Sequence, residues 1–185
     1  MDKLRAVLGL ALIAAAVVAN AASPEPNAQR PASPPRLVVL DVELTGDLGG
    51  PEFAAEHQAR LIMASARLRE RLARTGLYQM VDSGPAQQTV DELKSRYLYL
   101  HDCNGCDLDL GRQLGADQVW VAWVNRVSGL ILSLTYEIHD VATGQIAARK
   151  SFDFRGDNDS SWTHAIDYMV RDLAESAQTH TEGLR

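Results

Sequence analysis

The stretch Gln118-Val119-Trp120-Val121-Ala122-Trp123-Val124-Asn125-Arg126-Val127 constrains this chain more than any other. Read at the two-residue period of a strand, it is apolar on both faces. Val119, Val121 and Trp123 share one, and Trp120, Ala122 and Val124 share the other. Such a strand belongs in the interior of a sheet, with cover on both sides. Ser128-Gly129 follows as a tight-turn signal. Leu130, Leu132, Leu134, Tyr136 and Ile138 then alternate with Ser133, Thr135, Glu137 and His139, the pattern of a half-exposed strand. Asp140-Val141-Ala142-Thr143-Gly144 makes a second short connection. Gln145 to Phe154 returns with Ile146, Ala148, Phe152 and Phe154 inward. These strands form an antiparallel meander.

The rest of the chain supplies the cover. Leu37 to Leu44 reads as a first strand, with Val38, Leu40, Val42 and Leu44 on one face. Pro51 and Glu52 suit a helix start, and Leu61, Ser65, Leu68 and Leu72 recur at helical spacing until Gly76 ends the run. Arg60, Arg67, Arg69, Arg71 and Arg74 crowd this helix and read as its solvated face. Leu77 to Val81 is a short second strand. Thr89 to Tyr99 reads as a modest helix or an irregular segment, and Asp107 to Leu114 as a short helix stopped by Gly115. Asp159 or Ser160 can cap a last helix, whose Trp162, Ile166, Met169 and Leu173 form a core-facing stripe. The order is β-α-β-α-β-β-β-α. It predicts an α/β fold, a mixed sheet with an antiparallel meander and helices packed on it, as a single domain over 36–177 with a frayed polar tail at 178–185.

Ahead of the domain, Lys3 and Arg5 precede an apolar run from Ala6 to Ala19, and Ala19-Asn20-Ala21 offers a small-x-small cleavage pattern. Residues 1–21 therefore read as a signal peptide, too short in its apolar part for the roughly 20 residues that span a bilayer. The predicted location is the periplasm, with no stable membrane insertion after cleavage. Residues 22–35 are a Pro-rich leader expected to be disordered. Losing Asp2, Lys3 and Arg5 makes the net charge one unit more negative than −6. An acidic surface repels phosphate backbones, so nucleic acid is not an expected partner.

The only two cysteines stand in Cys103-Asn104-Gly105-Cys106. In an oxidising compartment such a pair is a structural disulfide, a thiol redox centre, or part of a metal site. A disulfide is the reading adopted, because Gly105 lets the small ring close. Asp102, Asp107 and Asp109 argue against a reactive thiolate, since neighbouring negative charge raises a thiol pKa. The alternative is redox or metal-handling chemistry at the pair, with His101, Cys103 and Cys106 as the candidate metal donors. Covalent haem attachment fails because Asp107, not histidine, follows Cys106. Asp157, Asn158 and Asp159 lack the full spacing of an EF-hand loop and read as a turn and helix cap. His57, His139 and His164 stand far apart with no matching serine or acid pattern, and no phosphate-binding glycine loop occurs.

Leu114-Gly115-Ala116-Asp117-Gln118-Val119-Trp120-Val121, with the meander around Asp140 to Gly144, resembles the amino-terminal domain of TolB and its CsgG-like relatives. These are cell-envelope domains built largely for protein contacts. More narrowly, Cys103-x-x-Cys106, Trp123-Val124-x-x-Val127-Ser128-x-Leu130-Ile131-Leu132 and Arg155-Gly156-Asp157-Asn158-Asp159-Ser160-Ser161-Trp162 resemble a small exported family of unknown function, the DUF3280/DUF2380 type. That resemblance covers nearly the whole mature chain. It implies a compartment and a fold, brings no catalytic residues, and links such proteins to periplasmic quinoprotein dehydrogenase systems. The expectation is a non-enzymatic accessory or binding protein, without cofactor, holding another envelope protein through its sheet edge or the loop at Cys103 to Asp107. The contact surface is expected around Asp102, Asn104, Asp107, Asp157, Asp159 and Trp162.

Overall fold

The structure, a computed structural model, describes residues 33–182, with side chains through Thr179. The signal peptide and all but the end of the leader lie outside the described residues. Strand β4 (Gln118–Arg126) is the spine of the sheet, as its two apolar faces require. Trp120, Ala122 and Val124 are buried in one core, and Val119 and Val121 in a second, with Trp123 packed against it. The six-stranded sheet has the order β3-β1-β4-β5-β6, with β2 also beside β4. Strand β1 (Arg36–Val39) is parallel to β4 and to β3 (Gln79–Val81), while β2 (Glu43–Gly46) is parallel to β4. Strands β5 (Ile131–Asp140) and β6 (Ile146–Arg155) complete the antiparallel meander.

Helices cover both faces. On one, α1 (Ala54–Thr75) packs beside α4 (Asp159–Glu182). Leu68 and Leu72 meet Trp162, Ile166 and Met169 over Leu37, Trp120 and Leu134. On the other, α2 (Gln87–Arg96) and α3 (Cys106–Leu114) set Val90 and Leu110 against Val38, Val119 and Val121. The expected α/β architecture and mixed sheet are what the chain adopts.

Several expectations need correction. The first strand is two. Val39 lies opposite Trp120 and Glu43 opposite Trp123, so four steps along the first strand answer three along β4. The extra residue is a bulge, and it reverses the phase of the side chains. Leu37, Val39, Val42 and Leu44 therefore share the α1–α4 face, whereas Val38 and Leu40 face α2 and α3. A second irregularity, between Ile138 and His139 of β5, places Ile146 opposite His139 and leaves it 51% exposed instead of inward. The last helix runs on through Ala177 to Glu182. Its cap is Asn158, whose Oδ1 accepts the Ser161 N–H at 3.0 Å, not Asp159 or Ser160.

Candidate functional site

The bulge between β1 and β2 shapes the sheet edge beside α1. It frees the Val42 N–H from the ladder, and Ser65 Oγ of α1 accepts it at 2.9 Å. It also turns Asp41 outward, where Arg69 Nη2 donates to it at 2.8 Å and Lys94 Nζ at 2.9 Å. Partial burial alone would raise the Asp41 pKa. The hydrogen bonds and charges of Arg69 and Lys94 outweigh that and hold it below the ordinary carboxylate value. Asp41 thus ties α1 to the end of α2 across the sheet edge.

Beyond this clamp β1 is covered laterally by β3, but among the described residues β2 has no strand on its far side. Asp47 N–H donates to Arg126 O at 2.8 Å, so strand alternation aims the Leu44 and Gly46 backbone groups away from β4, towards open space. A cleft of about 490 Å³ lies along this edge, between α1 and the segment after α2. Leu44, Leu61 and Ser65 line its inner part, and Ile62, Leu98 and Tyr99 its rim. Ile62 is 62% exposed and Leu98 84%, large costs for side chains with no other role in view. A second hollow shares Leu44, Gln58 and Leu61 and extends the cleft towards Leu48, Gly49 and Pro51. The two form one groove beside the β2 edge, apolar at Leu44, Leu61, Ile62 and Leu98 and charged at Asp41, Glu43, Arg69 and Lys94.

The neighbouring 100–102 turn is pinned by Glu43. Its carboxylate accepts the Leu100 N–H at 2.6 Å and the His101 N–H at 3.1 Å, and it also contacts His101 Nδ1. The His101 ring stacks on Trp123, with centroids 4.2 Å apart and planes 11° apart. His101 is therefore committed to Glu43 and Trp123 and does not converge with the cysteines. Cys103 and Cys106 are joined as a disulfide, with Cα atoms 5.6 Å apart, and both lie in the second core. Asn104 and Gly105 make the turn with φ of 53° and 103°, a conformation that asparagine and glycine tolerate best. Among the described residues no group of three or more His, Cys, Asp or Glu is arranged to hold a metal ion.

Two buried charge networks went unread in the sequence. In the first, His139 sits between Asp107 and Glu137, the latter 2.7 Å from Nε2 and paired in turn with Arg149 at 2.9 Å. Burial alone would lower the His139 pKa, but the hydrogen bonds its ring donates to Glu137 and Asp107, with their negative charge, outweigh it and raise it. The second centres on Asp157, which accepts from Arg60 Nη1 at 2.8 Å, Arg126 Nε at 2.7 Å and Trp162 Nε1 at 3.0 Å. Burial pushes the Asp157 pKa up. Hydrogen bonds from Arg126 and Trp162 and the charges of Arg60 and Arg126 hold it below the ordinary value. Arg60 is only 3% exposed and also contacts Glu56 and Asp159, so it is no part of a solvated face. Arg67 and Arg71 pair with Asp167 of α4, which leaves Arg74, paired with Glu70, as the solvated kind expected.

The residues expected to share a contact surface divide accordingly. Asp107 and Trp162 are buried, at 4% and 1% exposure, and the Asp157 carboxylate is turned into the Arg60–Arg126 cluster. Asp102, Asn104 and Asp159 remain exposed, the first two on the disulfide loop and the third at the start of α4. The cleft residues were missed. The available signal was Tyr97-Leu98-Tyr99-Leu100, an apolar run between two helices with the period of neither.

The chain is thus an α/β/α domain with a cleft at one edge of its sheet. The chain belongs to the family described as "DUF3280: Protein of unknown function (DUF2380)", whose model matches residues 35–173. No curated protein matches it. Solved structures that are similar include the LpoB C-terminal domain from Escherichia coli, at 20% identity and a TM-score of 0.47, covering 65% of this chain and 82% of that one. The PelC dodecamer from Paraburkholderia phytofirmans matches at 13% identity and a TM-score of 0.45, covering 76% and 84%. TolB from Acinetobacter baumannii matches at 10% and 0.41, covering 77% and 28%. No residue role is carried over from them.

Proposed function

We propose that this protein is a non-enzymatic accessory module of the periplasm that holds another envelope protein in the cleft beside β2. The observation that carries the reading is the coincidence of an unpaired strand edge with exposed Ile62 and Leu98 on its rim. Unpaired backbone groups offer affinity to an extended segment, and the apolar pocket offers selection among its side chains. The export signal expected at residues 1–21 supplies the compartment. No helix of the described residues is long and apolar enough to cross a membrane.

The redox alternative gains no support from the geometry. Both cysteines are buried, at 5% and 8% exposure, whereas a thiol that exchanges with partners must be reached. The test is a photo-crosslinking residue placed at Leu98 in the native host. A discrete adduct with one envelope protein is expected from Leu98, and none from Leu130, an exposed leucine of the β4–β5 turn that does not line the cleft. Equal labelling from both positions, or no adduct from Leu98, removes the cleft as the binding surface.

A further inference from the structure

The strand order ends on β6, a second open edge, built differently from that of β2. It runs for 10 residues, Ile146–Arg155. Arg149, Ser151 and Asp153 stand opposite Glu137, Thr135 and Ser133, while Ala148, Lys150, Phe152 and Phe154 stand opposite Ile138, Tyr136, Leu134 and Leu132. The second set shares the α1–α4 face. Asp153 is exposed and takes part in no salt bridge among the described residues, and Arg149 pairs with Glu137 while its side chain stays 61% exposed. A long, largely exposed edge with such a pattern is a template for another strand.

We infer that β6 is the interface with a second copy of this chain, the two strands pairing antiparallel across a twofold axis at Ser151. The charge pattern selects both the occupant and the register. With the axis at Ser151, Arg149 of each copy faces Asp153 of the other, Ser151 faces Ser151, and no like charges meet. Placing the axis at Lys150, Phe152 or Asp153 instead opposes Lys150 to Lys150, Arg149 to Arg155, or Asp153 to Asp153. Opposite charges directly across a strand pair stabilise it and like charges do the reverse. On the other face Ala148 meets Phe154, and the Lys150 stem meets Phe152, a ring the same side chain already covers within its own chain at 5.5 Å. A shallow cavity of about 490 Å³ lined by Phe152, Phe154, His164 and Tyr168 opens at this edge, where the second copy would border it. The contact is isologous and closed, so it yields a dimer with one continuous sheet and not a fibre.

Sedimentation velocity on the purified protein tests this, with mild oxidation of a Ser151→Cys variant. The expected results are a wild-type dimer and rapid disulfide-linked dimerisation of Ser151→Cys, but not of Thr143→Cys in the β5–β6 turn. Asp153→Arg should weaken the dimer by at least about tenfold, since it turns two attractions into two repulsions. Arg149→Asp should do the same, and an equimolar mixture of the two variants should dimerise again, because the mixed pair restores both attractions. Circular dichroism of each variant confirms that it is folded. A monomeric wild type, a dimer indifferent to Asp153→Arg, a mixture that stays monomeric, or equal cross-linking at positions 151 and 143 overturns the inference.

Discussion

Asp157 decides more of this structure than any other single residue. It neutralises two arginines that are nearly out of water, at 3% and 9% exposure, and accepts the indole N–H of Trp162 at the same time. Removing one partner of a buried ion pair leaves a charge stranded, which costs about 3–5 kcal/mol. Asp157→Ala is therefore expected to lower stability by up to about that amount in urea unfolding, chiefly through Arg126, since Arg60 keeps Glu56 and Asp159. The pH sign follows from the depressed carboxyl pKa. The contribution is complete above the unfolded-state value, begins to be lost there as pH falls, and is gone below the lower folded-state value. His139 has the opposite sign. Its folded pKa is raised, so its contribution is complete below the unfolded value of about 6.5 and declines as pH rises through the folded one. An NMR titration of its ring should give a midpoint above that of an unfolded histidine; a midpoint at or below it would contradict the Asp107–His139–Glu137 account.

At the scale of elements, the informative features are the places where strand periodicity is broken. Ser65 of α1 accepts the Val42 N–H that the bulge frees, and its hydroxyl also donates to Leu61 O at 2.7 Å. Ser65→Ala should cost about 1–3 kcal/mol through the buried, unsatisfied amide. Gly111 marks the closest approach of α3 to the sheet. A Cβ there would stand 2.6 Å from Val119 and from Val141. Gly111→Ala should lift α3 from β4 and destabilise by about 1–3 kcal/mol in thermal melts. The strands themselves were legible. The two faces of β4, the inward set of β5 and the stripe on α4 follow from periodicity, because each is a local pattern read by one neighbouring layer. The bulges were not, since a single inserted residue leaves composition unchanged and only pairing with β4 or β5 reveals it. The ion clusters were hidden for a related reason. Asp157, Arg60 and Arg126 are remote in sequence, and charges read as solvated until the fold shows a partner.

For the whole molecule, the fold class was legible in the sequence, whereas the residues expected to share a contact surface divide, with Asp102, Asn104 and Asp159 exposed and Asp107, Asp157 and Trp162 turned inward. Asp107, Asp157 and Trp162 looked available because polar loops and helix starts usually are, yet each is drawn inward by a specific partner. The cleft lies beside β2, while β6 forms the opposite edge of the sheet. If both edges are used, a dimer through β6 presents two clefts at its outer ends, a bivalent arrangement that gains avidity towards a repeated or membrane-arrayed partner. The disulfide has a smaller part. Its ring closes so few residues that Cys103→Ser/Cys106→Ser should lose only about 1–2 kcal/mol. The measurement that tests the central claim most directly is the affinity of the partner captured at Leu98 for two variants, Ile62→Asp/Leu98→Asp and Cys103→Ser/Cys106→Ser, each shown to be folded. The cleft account predicts that the first loses at least about tenfold in affinity and the second binds nearly as the wild type does. Retained binding by the cleft variant, with loss in the cysteine variant, would contradict it and return the thiol pair to the centre of the function.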